Sequence, residues 1–359
     1  MKTFDELFVD KTRYCVKVQT SEYKESGSYI IIDQGQSKIA GYTDRETGLF
    51  KEVPVIIFGD HTRVIKYVDQ PFYLGADGVK VLRSKDENAN YKYLYYALKN
   101  VIIPDTGYNR HYKWLKEIQI EYPDSNKQAQ IVNILDKVLD VISKRKEELK
   151  ELDNLIKARF VEMFGDPVSN SYGLSEATLP KLGEFGRGVS KHRPRNDPRL
   201  LDGQYPLIQT GDIANAGLYI TSYNSTYSEL GLQQSKMWNK GTLCITIAAN
   251  IAKTAILEFD ACFPDSVVGF VANERTNNIF IHYWFSFFQE MLESQAPESA
   301  QKNINLKILS ELKVIVPEKE MQDEFSDFVR QIDKSKVAIQ KALDETQLLF
   351  DSLMQQYFG

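Results

Sequence analysis

The sequence predicts an α+β protein made of two mixed α/β domains and two long helices that form an antiparallel coiled coil. Three observations lead to this prediction: an internal repeat, a long helical pattern at the end of each copy, and strand-like apolar runs ahead of each helix. The chain has 359 residues, of which 43% are hydrophobic and 26% charged. It is therefore long enough for two domains that each bury a core.

The repeat aligns residues 118–165 with residues 312–359 without a gap. Seven of the 48 aligned positions are identical, and they include Pro123 with Pro317 and Gln128 with Gln322. In each copy a short alternating strand precedes the proline, whose missing N–H suits the end of a strand. The shared pattern, more than the number of identities, indicates a duplication.

Each copy continues into a helical pattern, over residues 127–164 and 320–358, that contains no proline or glycine. Apolar residues recur at alternating spacings of four and three, which is typical of a coiled-coil stripe. A helix of this length would extend about 55 Å. The alternative is two ordinary amphipathic helices, each packed on its own domain. The stripe residues expected to pack in the helix pair are Ile131, Leu135, Val138, Ile142, Leu149, Leu152, Ile156, Phe325, Val329, Ile332, Ile339, Leu343, Phe350 and Leu353. Polar or charged residues interrupt the stripes at Arg145, Arg159, Lys336 and Thr346.

The segments ahead of the helices are also loosely alike. Residues 53–58 and 242–247 are strand-like, and residues 91–98 and 280–288 are helix-like and rich in aromatic rings, which we expect to pack in the cores. We therefore expect four segments: a first domain over 1–126, a first helix over 127–166, a second domain over 167–318 and a second helix over 319–359.

The cysteines and the apolar runs restrict the class of protein. Cys15, Cys244 and Cys262 are widely spaced and odd in number, so they favour reduced thiols over disulfides or a zinc site. No stretch has the pattern of a signal peptide or of a membrane span. We therefore expect a cytoplasmic protein without a membrane partner. The net charge of -5 argues against non-specific coating of nucleic acid.

Enzyme signatures are missing from the sequence. It contains no Asn/Asp-Pro-Pro-aromatic tetrapeptide of an amino-methyltransferase, no glycine-rich cofactor turn and no Walker motif. The four histidines lack the paired spacing of metal ligands. We therefore expect no catalytic residue, no metal site and no cofactor in this chain.

Several motifs point to a known family. In the second half these are Gly241-Thr-Leu-Cys-Ile-Thr-Ile-Ala-Ala-Asn-Ile-Ala-Lys253, Val267-Val-Gly-Phe270 and Tyr205-Pro-Leu-Ile-Gln-Thr-Gly-Asp212. The first half has Val55-Ile-Ile-Phe-Gly-Asp60 and Leu74-Gly-Ala-Asp-Gly-Val-Lys80 in the corresponding places. With the repeated helices, these motifs make the chain resemble, from end to end, the specificity subunits of type I restriction-modification systems. The first half lacks an evident copy of Leu182-Gly-Glu-Phe-Gly186, which leaves the start of its domain undefined.

The resemblance implies a DNA-binding subunit with two target recognition domains. Each domain would read one half-site of double-stranded DNA, and the helix pair would fix the gap between the half-sites. The helix pair would also dock two adenine-N6 methyltransferase subunits and, through them, restriction translocase subunits. S-adenosylmethionine, ATP and Mg would then bind only to those partners.

The residues we expect to contact DNA are polar or basic and lie in loops. The densest basic segment is 187–199, and two further basic loops fall in the first domain. Arginine suits guanine edges and phosphates, whereas glutamine and asparagine can pair with adenine. Solvent exposure or turn formation would explain the same residues. The candidates are His61, Arg63, Lys66, Asn109, Arg110, Lys113, Arg187, Lys191, Arg193, Arg195, Arg199, Gln209, Thr210, Gln301, Lys302 and Asn303.

Two other functions remain open at the level of sequence. A stand-alone DNA methyltransferase or nuclease with unrecognised motifs would bind its own cofactor. A structural coiled-coil scaffold would not bind DNA.

Overall fold

The computed structural model describes residues 1–75, 78–107, 109–248, 251–295 and 306–359. The chain forms two compact units. The first unit comprises Met1–Lys146 together with Lys341–Gly359, and the second comprises Glu147–Gln340. Each unit thus combines one α/β domain with a part of both long helices.

The first unit contains strands, short helices and the start of a long helix. In chain order these are β1 (Lys2–Thr3), α1 (Phe4–Leu7), β2 (Phe8–Asp10), β3 (Tyr29–Ile32), β4 (Gly41–Thr43), β5 (Val55–Gly59), β6 (Ile65–Val68), β7 (Phe72–Leu74), β8 (Val79–Ser84), α2 (Tyr91–Asn100), α3 (Tyr112–Leu115), β9 (Gln119–Ile120) and α4 (Ser125–Phe164). The helix α4 continues into the second unit.

The second unit has a similar series of elements. They are β10 (Glu176–Thr178), α5 (Leu179–Leu182), β11 (Gly183–Arg187), β12 (Leu201–Leu207), α6 (Thr210–Asn215), β13 (Tyr219–Ile220), β14 (Ser225–Tyr227), α7 (Glu229–Gln233), β15 (Met237–Trp238), β16 (Leu243–Thr246), β17 (Thr254–Leu257), β18 (Ala261–Cys262), β19 (Val267–Ala272), α8 (Asn278–Gln295), α9 (Leu306–Glu311), β20 (Lys313–Ile315) and α10 (Lys319–Phe358). The end of α10 belongs to the first unit.

The two units share one topology, with extra elements in the second. The first has a sheet of order β2-β8-β5-β6, and the second has β11-β19-β16-β17 with β13 added at the edge. A parallel pair, β3 with β7 and β12 with β18, recurs in a separate sheet. The strands β5 and β16 are buried on both faces, which explains their continuous apolar runs. The predicted α+β architecture is confirmed.

The first domain has a structural counterpart of Leu182-Gly-Glu-Phe-Gly186, although its sequence contains no evident copy. The helix α1 ends at Leu7 and leads into β2, which pairs with β8, as α5 ends at Leu182 and leads into β11, which pairs with β19. The sequence comparison missed it because only the buried positions match. Phe4 and Leu7 fill the places of Leu179 and Leu182, whereas the glycines have no copy.

The long helices run antiparallel within each unit. In the first unit Arg145 on α4 donates to Ala342 O and Thr346 Oγ1 on α10. In the second unit Lys336 Nζ lies 2.6 Å from Asp153 Oδ1. Every predicted stripe residue is buried or half-buried. Arg145, Thr346 and Lys336, which interrupt the stripes, therefore make polar contacts between the two helices.

The repeated proline and glutamine make the same hydrogen bond in both units. Gln128 Nε2 donates to Pro123 O at 2.8 Å, and Gln322 Nε2 donates to Pro317 O at 2.9 Å. Both glutamines are buried. A buried carbonyl needs a partner, so this bond explains why the two identities occur at the start of each long helix.

Candidate nucleic-acid interface

The basic segment 187–199 of the second unit begins at the last residue of β11 and continues as the loop toward β12. Close packing fixes the backbone at the start of this loop. A Cβ on Gly188 would lie 2.3 Å from the carbonyl oxygen of Phe263, so only glycine permits this close approach to the β18–β19 turn. Gln234 Oε1 accepts hydrogen bonds from Lys191 N at 2.7 Å and His192 N at 3.0 Å. The loop is therefore held in one position against two neighbouring segments.

The arginines of this loop pair with two aspartates. Arg195 donates to Asp265 Oδ1, and Arg193 NH2 lies 3.6 Å from Asp265 Oδ2. Arg199 NH2 lies 2.6 Å from Asp197 Oδ2. The three arginine side chains are 47% to 72% exposed, so phosphates or base edges can reach them. The cations of this loop outnumber these two carboxylates, so the loop has a net positive charge.

Asp197 organises the end of the loop. Hydrogen bonds from Arg199 are the main cause that lowers the pKa of its carboxyl far below the ordinary value. His192 Nε2 lies 3.0 Å from the same carboxylate. Asp197 is only 12% exposed and also accepts from the Arg199 backbone N–H at 3.0 Å. It therefore fixes the loop conformation and stays ionised at neutral pH.

The first unit has a cleft of about 800 Å³ beside its predicted basic loop. Lys38, Arg63 and Lys99 line the cleft together with the polar side chains of Gln36 and Thr62. Lys38 and Lys99 are exposed. This arrangement of cations and amide or hydroxyl groups can bind a phosphate backbone and contact base edges.

The two loops predicted to contact DNA in the first unit lie next to each other. His61 Nδ1 is 3.2 Å from Asn109 O, and His111 Nδ1 is 2.9 Å from Asp60 O. Arg63 has a positive φ of 61° in the β5–β6 turn, and its NH2 lies 2.8 Å from Asp105 Oδ2. The structure thus brings residues 61–63 and 109–113 to one surface. Asn109, Arg110 and Lys113 are exposed there.

Lys66, which was predicted to contact DNA, is largely buried and is not a free surface cation, and its contact with DNA stays a prediction. Its side chain is 5% exposed, and Nζ donates to Ser37 O at 2.7 Å and lies 3.4 Å from Asp33 Oδ1. Burial lowers the pKa of its ammonium group. In β6 alternate residues face inward, which places Lys66 with Val68 on the buried side. Lys66 therefore supports the loop that carries Gln36 and Lys38.

The remaining candidates divide by position. Gln209 is the N-cap residue of α6, its backbone N–H donates to Asp212 Oδ2 at 2.8 Å, and its side chain is exposed. Thr210 is half-buried as the first residue of that helix. Helix capping accounts for both positions, and base contact stays a prediction. Arg187 and Lys191 are exposed. Gln301, Lys302 and Asn303 lie outside the described residues.

Sequence reasoning missed Gln36, Lys38 and Lys99. The signal for the first two was the match of Tyr29-Ile-Ile-Ile-Asp-Gln-Gly35 with Tyr205-Pro-Leu-Ile-Gln-Thr-Gly211, which span the ends of the equivalent strands β3 and β12. The segment after Gly35 corresponds to the polar segment after Gly211. Lys99 had no such signal, because its position in the cleft depends on how α2 packs.

The described ranges contain neither a cluster of metal ligands nor a membrane-spanning helix. There, no group of three or more His, Cys, Asp or Glu side chains is placed to hold a metal ion. None of the helices in the same ranges combines the length and the apolar character that crossing a bilayer requires.

Comparisons with known proteins agree with this architecture. The family model described as type I restriction modification DNA specificity domain matches residues 2–153 and 176–346. A type I restriction enzyme specificity subunit, EcoR124I/EcoR124II of Escherichia coli, is 25% identical over 76% of this chain and 69% of its own length. A putative specificity subunit, MjaX of Methanocaldococcus jannaschii, is 21% identical over 64% and 57%.

Solved structures support the same fold. The S subunit of a type I system from M. genitalium has a TM-score of 0.62 at 18% identity and covers 100% of this chain and 95% of its own. A second solved structure, described as the structural basis of complex assembly of the type I R-M system, has a TM-score of 0.56 at 15% identity and covers 100% of this chain and 99% of its own. Because the family model matches most of both halves, the chain belongs to the type I restriction modification DNA specificity family.

Proposed function

We propose that the two units each read one part of a bipartite DNA target. The first would use the cleft beside residues 61–63, and the second would use the loop 187–199. The chain is a DNA-recognition subunit of a type I restriction-modification system and is not itself an enzyme. The observation that carries the bipartite assignment is the repetition of one scaffold with different polar loops.

The chemistry belongs to partner subunits in this proposal. Adenine-N6 methylation and DNA cleavage would be carried out by methyltransferase and restriction subunits, which would hold S-adenosylmethionine, ATP and Mg. This chain would supply recognition and orientation. Support comes from the E. coli relative, which is named as the specificity subunit of a type I restriction enzyme.

The chain associates with other subunits of such a system. We propose that two methyltransferase subunits bind to it, and that restriction subunits join through them. Two units of the same topology offer two like surfaces, which suits two copies of one partner. The complex would act in the cytoplasm, where the three cysteines, all free in the structure, would stay reduced.

Reconstitution tests the proposal. The purified chain alone should neither methylate nor cut DNA, and addition of its cognate methyltransferase subunit should produce N6-methyladenine within a split sequence. The matched control is a duplex in which one half of that sequence is scrambled, which should lose methylation. Turnover by the homogeneous chain alone, or methylation of a single uninterrupted site, would contradict the proposal.

A further inference from the structure

Asp265 is placed so that one carboxylate faces two arginines of the loop 187–199. Its Oδ1 accepts from Arg195, and its Oδ2 lies 3.6 Å from Arg193 NH2. The Arg193 guanidinium is also oriented by its NH1, which donates to Ser190 O at 2.6 Å and His192 O at 2.8 Å. The two carboxylate oxygens thus bridge two guanidinium groups. A DNA phosphate would bridge the same arginines in the same way.

We propose that Asp265 is a built-in competitor of the DNA backbone, which occupies Arg193 and Arg195 until a phosphate displaces it. The inference rests on the proposed function, since it requires that this loop contacts DNA. The carboxylate would lower the affinity of the loop for every duplex, whatever its sequence. The subunit would therefore spend less time bound to DNA that lacks the target.

The structure gives Asp265 and Asp197 different roles. Asp197 is 12% exposed and accepts a backbone N–H as well as side-chain donors, so it belongs to the loop framework. Asp265 is 30% exposed, and its two partners are about half exposed. Ion pairs at such surfaces are weak and are easily exchanged. Gln234 and Ser235 hold the loop backbone at residues 189–192, so this part of the loop does not depend on Asp265 for its position.

Neutralising Asp265 should therefore strengthen binding to any duplex. For Asp265→Asn we expect an affinity for non-target DNA about three- to tenfold higher near 0.1 M salt, because displacement no longer leaves an uncompensated carboxylate beside the phosphate. The slope of log affinity against log salt should steepen by about one, since one more charge of the loop is available to replace counterions.

The experiment measures binding of the full chain to a labelled duplex of arbitrary sequence, by fluorescence anisotropy at several salt concentrations. The matched control is Glu274→Gln, which removes an exposed carboxylate of the same unit at the opposite end of β19. Asp265→Ser provides a second neutral variant, and circular dichroism checks that each variant folds. A triple variant adds Arg193→Ala and Arg195→Ala to Asp265→Asn.

The outcomes separate the inference from the proposed function. Stronger binding by both neutral variants, lost in the triple variant and absent in Glu274→Gln, supports the inference. If Asp265→Asn leaves affinity unchanged while Arg193→Ala with Arg195→Ala weakens it, Asp265 does not compete and the loop still contacts DNA. If the double arginine variant also binds normally, the loop is not a DNA contact and both ideas fail. An equal gain in DNA affinity for Glu274→Gln overturns the inference, because the loss of any surface carboxylate would then strengthen binding.

Discussion

The two units repeat a scaffold, yet the loop that follows the first strand of the main sheet differs in charge between them. In the first unit two of the four cations of residues 11–28 pair with carboxylates from other segments, with Lys11 Nζ 3.3 Å from Glu52 Oε2 and Lys24 Nζ 2.8 Å from Asp44 Oδ2. In the second unit the cations of residues 188–200 outnumber the nearby carboxylates. Buried strands must keep their order to form a core, whereas exposed loops are free to diverge. Sequence recognition is therefore expected in the loops that differ.

The helices α2 and α8 show that the scaffold itself tolerates two kinds of packing. In α2 the tyrosine hydroxyls are tethered, with Tyr93 OH donating to Glu121 O at 2.7 Å and Tyr96 OH to Asp136 Oδ1 at 2.6 Å. In α8 the ring of Phe280 stacks on Phe160 at 5.4 Å. The ring of Tyr93 also packs against Phe358 at 5.2 Å. Aromatic packing therefore holds this position of the fold in both units, and the first unit adds hydrogen bonds from tyrosine hydroxyls.

The largest expected effect comes from exchanging one recognition domain. Replacement of residues 167–311 by the corresponding segment of a related subunit should change one half of the DNA target and leave the other half intact, because the loops differ while the scaffold is common. Methylome sequencing of cells that carry the variant with its methyltransferase subunit measures the outcome. A change in both halves of the target would show that the units do not read independently.

Truncation of the aromatic cluster should destabilise the second unit selectively. Phe160 is fully buried and lies within 5.5 Å of the rings of Phe164, Phe280 and Phe325. Phe160→Ala should cost about 3 to 5 kcal/mol of unfolding free energy, since it removes burial and leaves a cavity. Hydrogen exchange measured peptide by peptide should rise in the second unit. The control is Val161→Ala, a change at the neighbouring exposed residue, which should have little effect on stability. Equal destabilisation by both variants would contradict the prediction.

The repeated glutamines should differ in their contribution to stability. Gln322 accepts from Thr276 Oγ1 at 2.8 Å and donates to Arg275 O at 3.0 Å as well as to Pro317 O. Gln128 makes the equivalent proline bond and a side-chain hydrogen bond with Tyr122. Each net hydrogen bond contributes about 1 kcal/mol. At this value Gln322→Met should cost about 2 to 3 kcal/mol and Gln128→Met about 1 to 2 kcal/mol. Denaturant unfolding of the two variants measures both losses of unfolding free energy. Equal losses would mean that the additional hydrogen bonds of Gln322 contribute nothing to stability.

These glutamines illustrate what the sequence could predict. The sequence predicted the long helices, their antiparallel pairing and the duplicated α/β domain. Buried apolar residues recur with the period of a helix or a strand even where few residues are identical. The role of Gln128 and Gln322 followed only from the structure, since the bond to the preceding proline carbonyl depends on how the strand turns into the helix. The polar interruptions Arg145 and Thr346 are a similar case, because their contact requires the register of the helix pair.

The candidate site was predictable at the level of segments and less so for single side chains. The basic loop 187–199 is exposed as expected, but the sequence did not show that Asp265, distant along the chain, faces its arginines. Lys66 was assigned to a surface loop although it lies on the inner side of β6. Long-range packing decides which cations of a polar segment remain exposed, and local composition does not contain that information.

A smaller effect should distinguish the second unit in mild acid. His282 contacts Thr254 Oγ1 through Nδ1 at 2.9 Å, and burial, together with the positive charge of Lys336, lowers its pKa from 6.5 to about 4. The unfolded chain takes up a proton below about pH 6.5, whereas the folded unit resists until about pH 4. This contribution to stability is thus complete above pH 6.5 and is lost as the pH falls toward 4. Between pH 7 and pH 5 it should amount to about 1 to 2 kcal/mol for a half-buried side chain. Urea unfolding of the wild type and of His282→Gln at both pH values measures it, because carboxylates titrate alike in the two proteins and cancel in the difference. An unchanged pH dependence in His282→Gln would show that this histidine is not the source of the acid sensitivity.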